Sequence, residues 1–528
     1  MKNRVLVIGL DGATFRVMKP LMDEGRLPVM SKLAVQGVRG ILESTLDTNS
    51  PCAWSTFITG KNPGKHGIFG FFENMPGSYQ VRFLNGSFRN GKSLWRILSD
   101  EGKRVGVINV PFSYPVEEVN GFMIGGPDSP SKHDPRFCYP KGVVEAAEER
   151  IGSYIIEAGA NALVRQGKLD EAIERLMACI DVRASTAEYF LSKESYDFFM
   201  VVFTESDRVQ HHFWKFMNPD HPAFTSPEGK KYARAIYQIY ERLDEAVGRL
   251  LAAAGDEYAV LIMSDHGAGP ASNKTFFLNR WLNTAGYLSF ESGMSTKAVI
   301  KGAVEKLIGN AYVYVNSRFS RRWKRTLRNI FPGVKNRANS ILRGLKIDWS
   351  STKAFSWENA PSIYINVKGK FPHGIVDPGR EYQELVARLT KDLLELKAPG
   401  DSRPIVEKVV TKEDAYWGPF LDKAPDLFIE WKDDAYTVRP GFAASGKGFI
   451  EEITGERLKK VERISRASGV HKPDGIFLLS GPGVVCGREV SSLKLYDVTS
   501  MALYYLGVPI PEDFDGRVFE EAFLDRFL

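Results

Sequence analysis

The sequence predicts an α/β fold in which a mostly parallel central sheet carries helices on both faces. Short, continuously apolar runs recur along the chain, as expected of strands that are buried on both sides. Longer segments with helical periodicity separate these runs, an alternation that is typical of parallel sheets. Several runs end directly in an acidic residue or a histidine, at the edge where ligands of such sheets gather.

The first predicted strand covers residues 5–10 and ends at Asp11 and Gly12. Further strands are predicted at 40–44, 104–111, 196–203, 258–265, 424–431 and 475–481, and the core pattern resumes at 354–367 after residues 289–347. Helical segments are predicted at 14–37 with a break at Pro28, and at 143–191, 232–254, 381–396 and 498–506. This order favours one large α/β core.

Residues 289–347 do not follow this pattern. Between Lys297 and Lys346 the chain carries thirteen lysines and arginines and one acid, Glu305. We interpret the segment as a basic helical cap inserted into the core, which predicts a first core part at 1–288, a cap at 289–347 and a second core part at 348–528. An alternative function for the segment is an amphipathic helix that binds an anionic membrane surface or nucleic acid.

The composition excludes several classes of protein. Hydrophobic residues make up 43% and charged residues 25% of the chain, which is ordinary for a folded globular protein. The four cysteines have no paired spacing, so neither a disulfide framework nor a cysteine zinc site is indicated. A reducing, cytoplasmic location is therefore expected. No apolar stretch approaches the ~20 residues that span a bilayer.

A candidate nucleophile lies at Ser50. Its hydroxyl stands at the head of a helix-like run that ends in a turn containing Gly60, Pro63 and Gly64. This hydroxyl is a candidate nucleophile. The interpretation depends on whether acidic residues and histidines elsewhere in the chain can assemble metal ions around Ser50.

Candidate ligands for cations follow the predicted strands. Asp265 and His266 end the strand at 258–265, where a turn at Gly267 would let both reach one ion. Asp207 and His211, four residues apart on a predicted helix, share one face. The alternative to a metal site is an ordinary strand end for Asp265 and His266, and a solvated or packed helix face for Asp207 and His211.

Two further candidates complete the set. His471 lies in a predicted loop between glycines and a proline, and Asp11 ends the first strand. We interpret three other histidines as structural or surface residues. His212 would point away from the face that Asp207 and His211 share, and His66 and His133 lack the acidic or strand-end neighbours of a metal site.

The order of these motifs resembles the alkaline phosphatase superfamily, and within it the type I phosphodiesterases and nucleotide pyrophosphatases. The motifs are Asp11, Ser50 with Thr59-Gly60 and Pro63-x-x-His66-Gly67-Ile68, Asp207-x-x-x-His211, Asp265-His266-Gly267 and Gly469-x-His471. The resemblance extends from residue 5 to about residue 519 and leaves 289–347 unplaced. It implies an alkaline phosphatase-like fold.

The resemblance also implies a site with two divalent metal ions. One ion would be held by Asp207, His211 and His471, and the other by Asp11, Asp265, His266 and the Ser50 oxygen. Carboxylates and imidazoles without thiolates suit Zn²⁺, with Mn²⁺ as the alternative.

The sequence departs from the family pattern at two positions. The nucleophile is usually Thr in the related diesterases and is Ser50 here. An asparagine that binds the phosphoryl oxygen is replaced by Phe71, and Asn74 lies nearby. Because this phosphate-binding asparagine is missing, the sequence indicates the type of reaction more clearly than the substrate.

The predicted function is hydrolysis of phosphodiester or pyrophosphate bonds of a small molecule, nucleotides included, through a phosphoryl-Ser50 intermediate. Alternatives with the same metal centre are a phosphomonoesterase and a phosphonate hydrolase. A sulfatase is disfavoured because residues 50–53 lack a Cys-x-Pro-x-Arg signature. A binding module that uses residues 297–346 is the alternative from another class, and no specific binding of nucleic acid is predicted.

Overall fold

The computed structural model describes residues 3–291, 347–357, 360–398, 400, 402–439, 448–455, 458 and 467–524. The basic segment at 297–346, and with it the proposed membrane or cap function, lies outside the described residues. The predicted domain boundaries at 289 and 347 therefore remain predictions. Phe290 pairs with Ile347 in an antiparallel bridge, so the chain leaves and re-enters the described part at one place.

The strands alternate with helices along most of the described chain. The strands are β1 (Arg4–Leu10), β2 (Val38–Glu43), β3 (Phe72–Asn74), β4 (Val81–Phe83), β5 (Val105–Val110), β6 (Gly121–Gly125), β7 (Cys138–Tyr139), β8 (Phe198–Phe203), β9 (Tyr258–Met263), β10 (Gly267–Pro270), β11 (Lys274–Phe277), β12 (Ala354–Phe355), β13 (Ser362–Ile365), β14 (Val406–Thr411), β15 (Leu427–Trp431), β16 (Thr437–Arg439), β17 (Ile450–Glu452), β18 (Gly469–Lys472), β19 (Asp474–Ser480) and β20 (Arg488–Lys494).

The helices range from one turn to 25 residues. They are α1 (Phe15–Asp23), α2 (Pro28–Gln36), α3 (Ser50–Thr59), α4 (Pro63–His66), α5 (Leu94–Asp100), α6 (Val143–Ile151), α7 (Ala160–Arg165), α8 (Leu169–Lys193), α9 (Glu205–Met217), α10 (Pro227–Tyr232), α11 (Ala235–Ala254), α12 (Leu278–Thr284), α13 (Arg380–Leu394), α14 (Lys412–Ala415) and α15 (Leu495–Tyr505). Short 3₁₀ turns lie at Gly86–Phe88, Leu421–Lys423, Lys432–Asp434 and Glu520–Ala522. In the described part, none of these helices is both long and apolar enough to cross a membrane.

A nine-stranded sheet forms the centre of the molecule, in the order β20-β2-β19-β9-β1-β8-β5-β6-β7. Most neighbouring strands are parallel; the antiparallel pairs are those of β19 with β2 and β9, and that of β6 with β7. The predicted mostly parallel sheet is confirmed. Strand β1 lies between β9 and β8, so it is buried from both edges as well as both faces.

Helices cover both faces of this sheet, as the continuous apolar runs predict. Side chains alternate along a strand, so Val5 and Val7 of β1 join one hydrophobic cluster and Leu6 and Ile8 the other. The Leu6 side packs against α1, α2, α8, α9 and α11, and the Val5 side against α3, α5 and α15. A strand with two covered faces needs apolar residues at every position.

A separate hydrophobic cluster holds together the part of the chain around β11–β16. It includes residues of α12, α13 and the four-stranded sheet β12-β13-β15-β14. The three-stranded sheet β16-β11-β17 lies beside it. These residues are therefore packed on their own core, outside the two clusters that flank the central sheet.

The structure corrects several predicted boundaries. The strand predicted at 40–44 runs from Val38 to Glu43, and the helix predicted at 232–254 is α11, which begins at Ala235 because residue 232 ends the separate helix α10. The helix behind the candidate nucleophile begins at Ser50, because the Asn49 side chain accepts a hydrogen bond from the Cys52 amide at 3.0 Å and caps it there.

The far end of α3 is held by the C-terminal part of the chain. Gly60 ends the helix with a φ of +64°, and the ring of Phe514 lies 2.3 Å from where a Cβ on Gly60 would stand. The Asp515 amide donates to the Gly60 carbonyl at 2.9 Å, and the Asp515 carboxylate accepts from the Asn62 amide at 2.7 Å. A side chain at position 60 would displace this segment from the helix.

We expect Gly60→Ala to lower the free energy of unfolding by about 2–4 kcal/mol, since it adds backbone strain to a steric clash. Chemical denaturation measures the loss. Gly77→Ala is the matched control, because Gly77 has a φ of +62° but nothing within 4 Å of its would-be Cβ. It should lose only about 1 kcal/mol. Equal losses in the two variants would show that Phe514 does not restrict position 60.

Candidate active site

The candidate site lies where three neighbouring parallel strands end. Strands β9, β1 and β8 are adjacent in the sheet and point the same way, so their carboxyl ends share one edge. Asp11 directly follows β1, Asp207 lies in the first turn of the helix after β8, and Asp265 and His266 follow β9. Three segments far apart in sequence thereby bring their polar residues together.

Ser50 joins this edge from α3. It is the first residue of the helix, and its Oγ lies 3.4 Å from His266 Nε2. The hydroxyl also interacts with the Asp265 carboxyl. The predicted nucleophile therefore stands beside the residues that follow β9, at the positive end of a ten-residue helix.

Asp207, His211 and His471 form one half of the site. Asp207 Oδ1 lies 3.1 Å from His211 Nε2 and 3.3 Å from His471 Nε2, and the two Nε2 atoms are 3.1 Å apart. The structure thus brings the predicted i, i+4 pair onto one helix face. It also corrects the predicted loop at His471, which belongs to β18 and pairs antiparallel with β10 opposite Ala268.

Asp11, Asp265 and His266 form the other half. His266 Nε2 lies 3.4 Å from Asp265 Oδ2 and 3.8 Å from Asp11 Oδ1. Ligand atoms of Asp11, Asp207 and His266 also lie within 4.8 Å of one another, so Asp207 adjoins both halves. The His266 and His471 rings stack with centroids 3.7 Å apart and connect the halves. All seven predicted residues therefore meet in one place.

Each of the three imidazoles is oriented by a backbone carbonyl. His211 Nδ1 contacts the Gly469 carbonyl at 2.9 Å, His266 Nδ1 contacts the Gly267 carbonyl at 3.0 Å, and His471 Nδ1 contacts the carbonyl of Thr48. A carbonyl only accepts, so each Nδ1 carries a hydrogen and each Nε2 faces the centre of the cluster, where it could bind a cation. This is the arrangement that metal-binding histidines use.

The electrostatics of the site are those of a buried acid cluster whose carboxylates repel one another. Burial, followed by the charges of Asp265 and Asp207, raises the pKa of Asp11 well above its usual range. Burial raises the pKa of Asp265 to about 7. For Asp207 burial acts in the same direction, but the imidazoles of His211 and His471 outweigh it and hold its pKa well below the usual range.

The residues fit divalent cations. The buried atoms Asp11 Oδ1 and Asp265 Oδ2 have no hydrogen-bond partner. Ligands arranged tetrahedrally around zinc, at bond lengths of about 2.0–2.2 Å, lie roughly 3.3–3.6 Å from one another, close to the spacing within the Asp207, His211 and His471 group. The Nε2 atoms of His211 and His471 lie 3.1 Å apart, close enough to bind one cation together.

Other predicted features have structural explanations. His66 is fully buried and contacts Thr56, and burial lowers its pKa to about 3. His212 contacts Asn161 on α7, and burial likewise lowers its pKa to about 3. His133 is exposed. These three histidines are structural or surface residues.

The position of the missing asparagine is at the surface. Phe71 is 52% exposed, whereas Asn74 lines a cleft together with Phe69 and Trp357. The Asn49 side chain donates to the Phe69 carbonyl at 3.0 Å, so the cleft begins close to the start of α3. Asn74 Oδ1 is buried and has no hydrogen-bond partner.

Sequence reasoning missed residues that act on the site from outside the motifs. Trp54 donates its indole N–H to Asp11 Oδ2 at 3.3 Å. Arg208 Nη1 lies 3.5 Å from Asp207 Oδ2. The position of Arg208, directly after a proposed ligand, was the available signal; nothing in the sequence connects Trp54 with Asp11.

Comparisons with known proteins agree with this geometry. No curated protein matches the chain by sequence. Murine ectonucleotide pyrophosphatase/phosphodiesterase 5, solved as an inactive variant with AMP, is similar in structure with a TM-score of 0.51 at 12% identity, over 98% of each chain. The human protein gives 0.51 at 13%, over 99% of this chain and 100% of that one.

Phosphonoacetate hydrolase from Sinorhizobium meliloti 1021, in complex with phosphonoformate, gives a TM-score of 0.51 at 13% identity, over 96% of each chain. At such identities these likenesses establish an alkaline phosphatase-like fold. The family model for type I phosphodiesterase/nucleotide pyrophosphatase matches residues 5–441. The chain therefore belongs to the type I phosphodiesterase/nucleotide pyrophosphatase family, a family of metal-dependent hydrolases in the alkaline phosphatase superfamily.

Proposed function

We propose that the protein hydrolyses phosphodiester or pyrophosphate bonds through a phosphoryl-Ser50 intermediate. The observation that carries the proposal is the position of the Ser50 hydroxyl, at a helix N-terminus and 3.4 Å from His266 in a cluster of three carboxylates and three imidazoles. A hydroxyl there can attack phosphorus, and the cluster can hold the positive charge that the reaction needs.

Asp207, His211 and His471 would hold one cation, and Asp11, Asp265, His266 and the Ser50 oxygen the other. Bound cations would lower the pKa of the hydroxyl and neutralise the phosphoryl oxygens. Zn²⁺ is the proposed metal because carboxylate and imidazole ligands suit it, with Mn²⁺ as the competitor.

The residues of the chain would then act in two steps. In the first, Ser50 loses its proton to solvent and its Oγ bonds to phosphorus as the bond to the leaving oxygen breaks on the opposite side; the leaving group takes that electron pair. In the second, water loses a proton and attacks the same phosphorus, the bond to Ser50 Oγ breaks, and that oxygen takes up a proton again. Asn49 keeps Ser50 in place throughout by capping α3.

Removing the nucleophile tests the proposal. We expect Ser50→Ala to lower kcat for an aryl phosphodiester about a thousandfold or more, because no other hydroxyl replaces the covalent step. Ser50→Thr should retain measurable turnover. The experiment compares steady-state rates of zinc-reconstituted proteins.

Ser55→Ala is the matched control for this experiment. Ser55 lies on the same helix, is fully buried and its hydroxyl has no hydrogen-bond partner. Its removal should leave kcat unchanged. Turnover by Ser50→Ala at the wild-type rate would contradict the proposed function, and a preference of the wild type for phosphonates or phosphomonoesters would change the substrate class but not the nucleophile.

Binding of the cations should depend on pH. The Asp265 carboxyl has a pKa raised to about 7 in the metal-free protein and must lose its proton to become a ligand. Zn²⁺ affinity should therefore rise with pH between about 5.5 and 7.5, and fall as pH drops through 7, by about tenfold per pH unit for each displaced proton.

Calorimetric titration of metal-stripped protein with Zn²⁺ at several pH values measures this dependence. His133→Gln, a change at an exposed histidine away from the cluster, should bind with the same affinity and the same pH dependence. An affinity that stays constant across this range would exclude Asp265 as a ligand.

A further inference from the structure

Arg208 is the cationic side chain that stands beside the acid cluster. It follows Asp207 on α9, and its Nη1 lies 3.5 Å from Asp207 Oδ2. Its side chain is 28% exposed, whereas that of Asp207 is 7% exposed. The Arg208 side chain is therefore partly exposed to solvent beside a buried carboxylate of the cluster.

Its hydrogen-bonding capacity is only partly used. Asp207 turns its Oδ1 toward His211 and His471, and only Oδ2 faces Arg208, at the outer limit of a hydrogen bond. The other nearby carboxylate, Glu157, lies 3.5 Å from Nε without forming a hydrogen bond, and Nε has no other partner. A guanidinium offers five N–H donors in a planar fork that matches two oxygens of a phosphate.

The location of Arg208 relative to Ser50 is informative. Ser50 contacts His266 and Asp265 in one half of the cluster, whereas Arg208 contacts Asp207, which forms the other half with His211 and His471. In an in-line displacement the leaving group departs on the side of phosphorus opposite the nucleophile. A leaving group that departs from the Ser50 half toward the Asp207 half would come within reach of Arg208.

We propose that Arg208 binds an anionic leaving group, namely the phosphate or pyrophosphate released when a phosphoanhydride bond is cleaved. This inference rests on the proposed function and deepens it, because it makes pyrophosphate bonds better substrates than diesters with uncharged leaving alcohols. Ser50 loses its proton to solvent and its Oγ bonds to phosphorus, the bond from that phosphorus to the bridging oxygen breaks, and the departing phosphate or pyrophosphate keeps the electron pair. Arg208 donates hydrogen bonds to it and transfers no proton.

Two substrates that transfer the same group isolate the effect. A nucleoside 5′-triphosphate and the p-nitrophenyl ester of the same nucleoside 5′-monophosphate both place a nucleotidyl group on Ser50. The first releases pyrophosphate and the second p-nitrophenolate, a singly charged anion without phosphate oxygens for the guanidinium to bind. We expect Arg208→Gln to lower kcat/KM for the triphosphate by about 10- to 100-fold and for the ester by less than about threefold. Arg208→Lys, which keeps the charge but loses the fork, should lie between.

Binding provides a second measurement. Calorimetry with inorganic pyrophosphate on zinc-loaded Ser50→Ala protein should show affinity that is weakened by about 10- to 100-fold when Arg208→Gln is added. Arg242→Gln is the matched control, since Arg242 lies on the surface of α11 and pairs with Glu245 and Asp181. It should change neither measurement.

The outcomes separate this inference from the proposed function. Equal losses on both substrates, or no loss on either, would overturn the role of Arg208 while leaving the Ser50 mechanism intact. Undiminished turnover by Ser50→Ala would overturn the mechanism itself. If Arg208→Gln does not fold, Arg208→Lys is compared with the wild type on the same two substrates. This variant lacks the planar fork, so a preference for the triphosphate equal to that of the wild type would contradict the inference.

Discussion

Three buried carboxylates, those of Asp11, Asp207 and Asp265, repel one another, and the rest of the structure must hold them together despite this repulsion. Burying one unpaired carboxylate is costly, and placing three within a few ångströms of one another is costlier still. The imidazoles of His211 and His471 stabilise the charge of Asp207 but leave Asp11 and Asp265 with raised pKa values. A fold that keeps such a cluster must compensate for it by packing elsewhere, and bound cations would remove the repulsion directly.

The central sheet makes that arrangement possible. The three strands that end at the cluster, β9, β1 and β8, are the middle of the sheet, with apolar residues against helices on both faces. Their rigidity fixes where Asp11, Asp207 and Asp265 begin. Backbone carbonyls of Thr48, Gly267 and Gly469 then set the direction of each imidazole, so that the ring nitrogens face the cluster before any ligand arrives.

Much of the fold and of the cluster could be predicted because their causes are local. A strand covered on both faces must be apolar throughout, which is why the run from residue 5 to residue 10 predicts β1. Residues four apart on a helix must share a face, which predicts the pairing of Asp207 with His211. The sequence-based interpretation of His471 as a loop residue failed because β18 forms only by pairing with the four-residue strand β10, a contact between segments some 200 residues apart. The indole of Trp54 on Asp11 and the carbonyls that orient the imidazoles also depend on such distant contacts.

Charge balance connects Ser50 with Arg208. Three aspartates bring three negative charges, and two divalent cations would bring four positive ones, so the proposed site carries one surplus positive charge while Ser50 keeps its proton. Loss of that proton consumes the surplus, because the nucleophilic oxygen is then an anion. A phosphodiester adds a single negative charge at this point, but a phosphoanhydride adds more, and the excess lies on its leaving group. Arg208 places a permanent positive charge beside Asp207, in the half of the cluster that Ser50 does not contact, and could offset that excess.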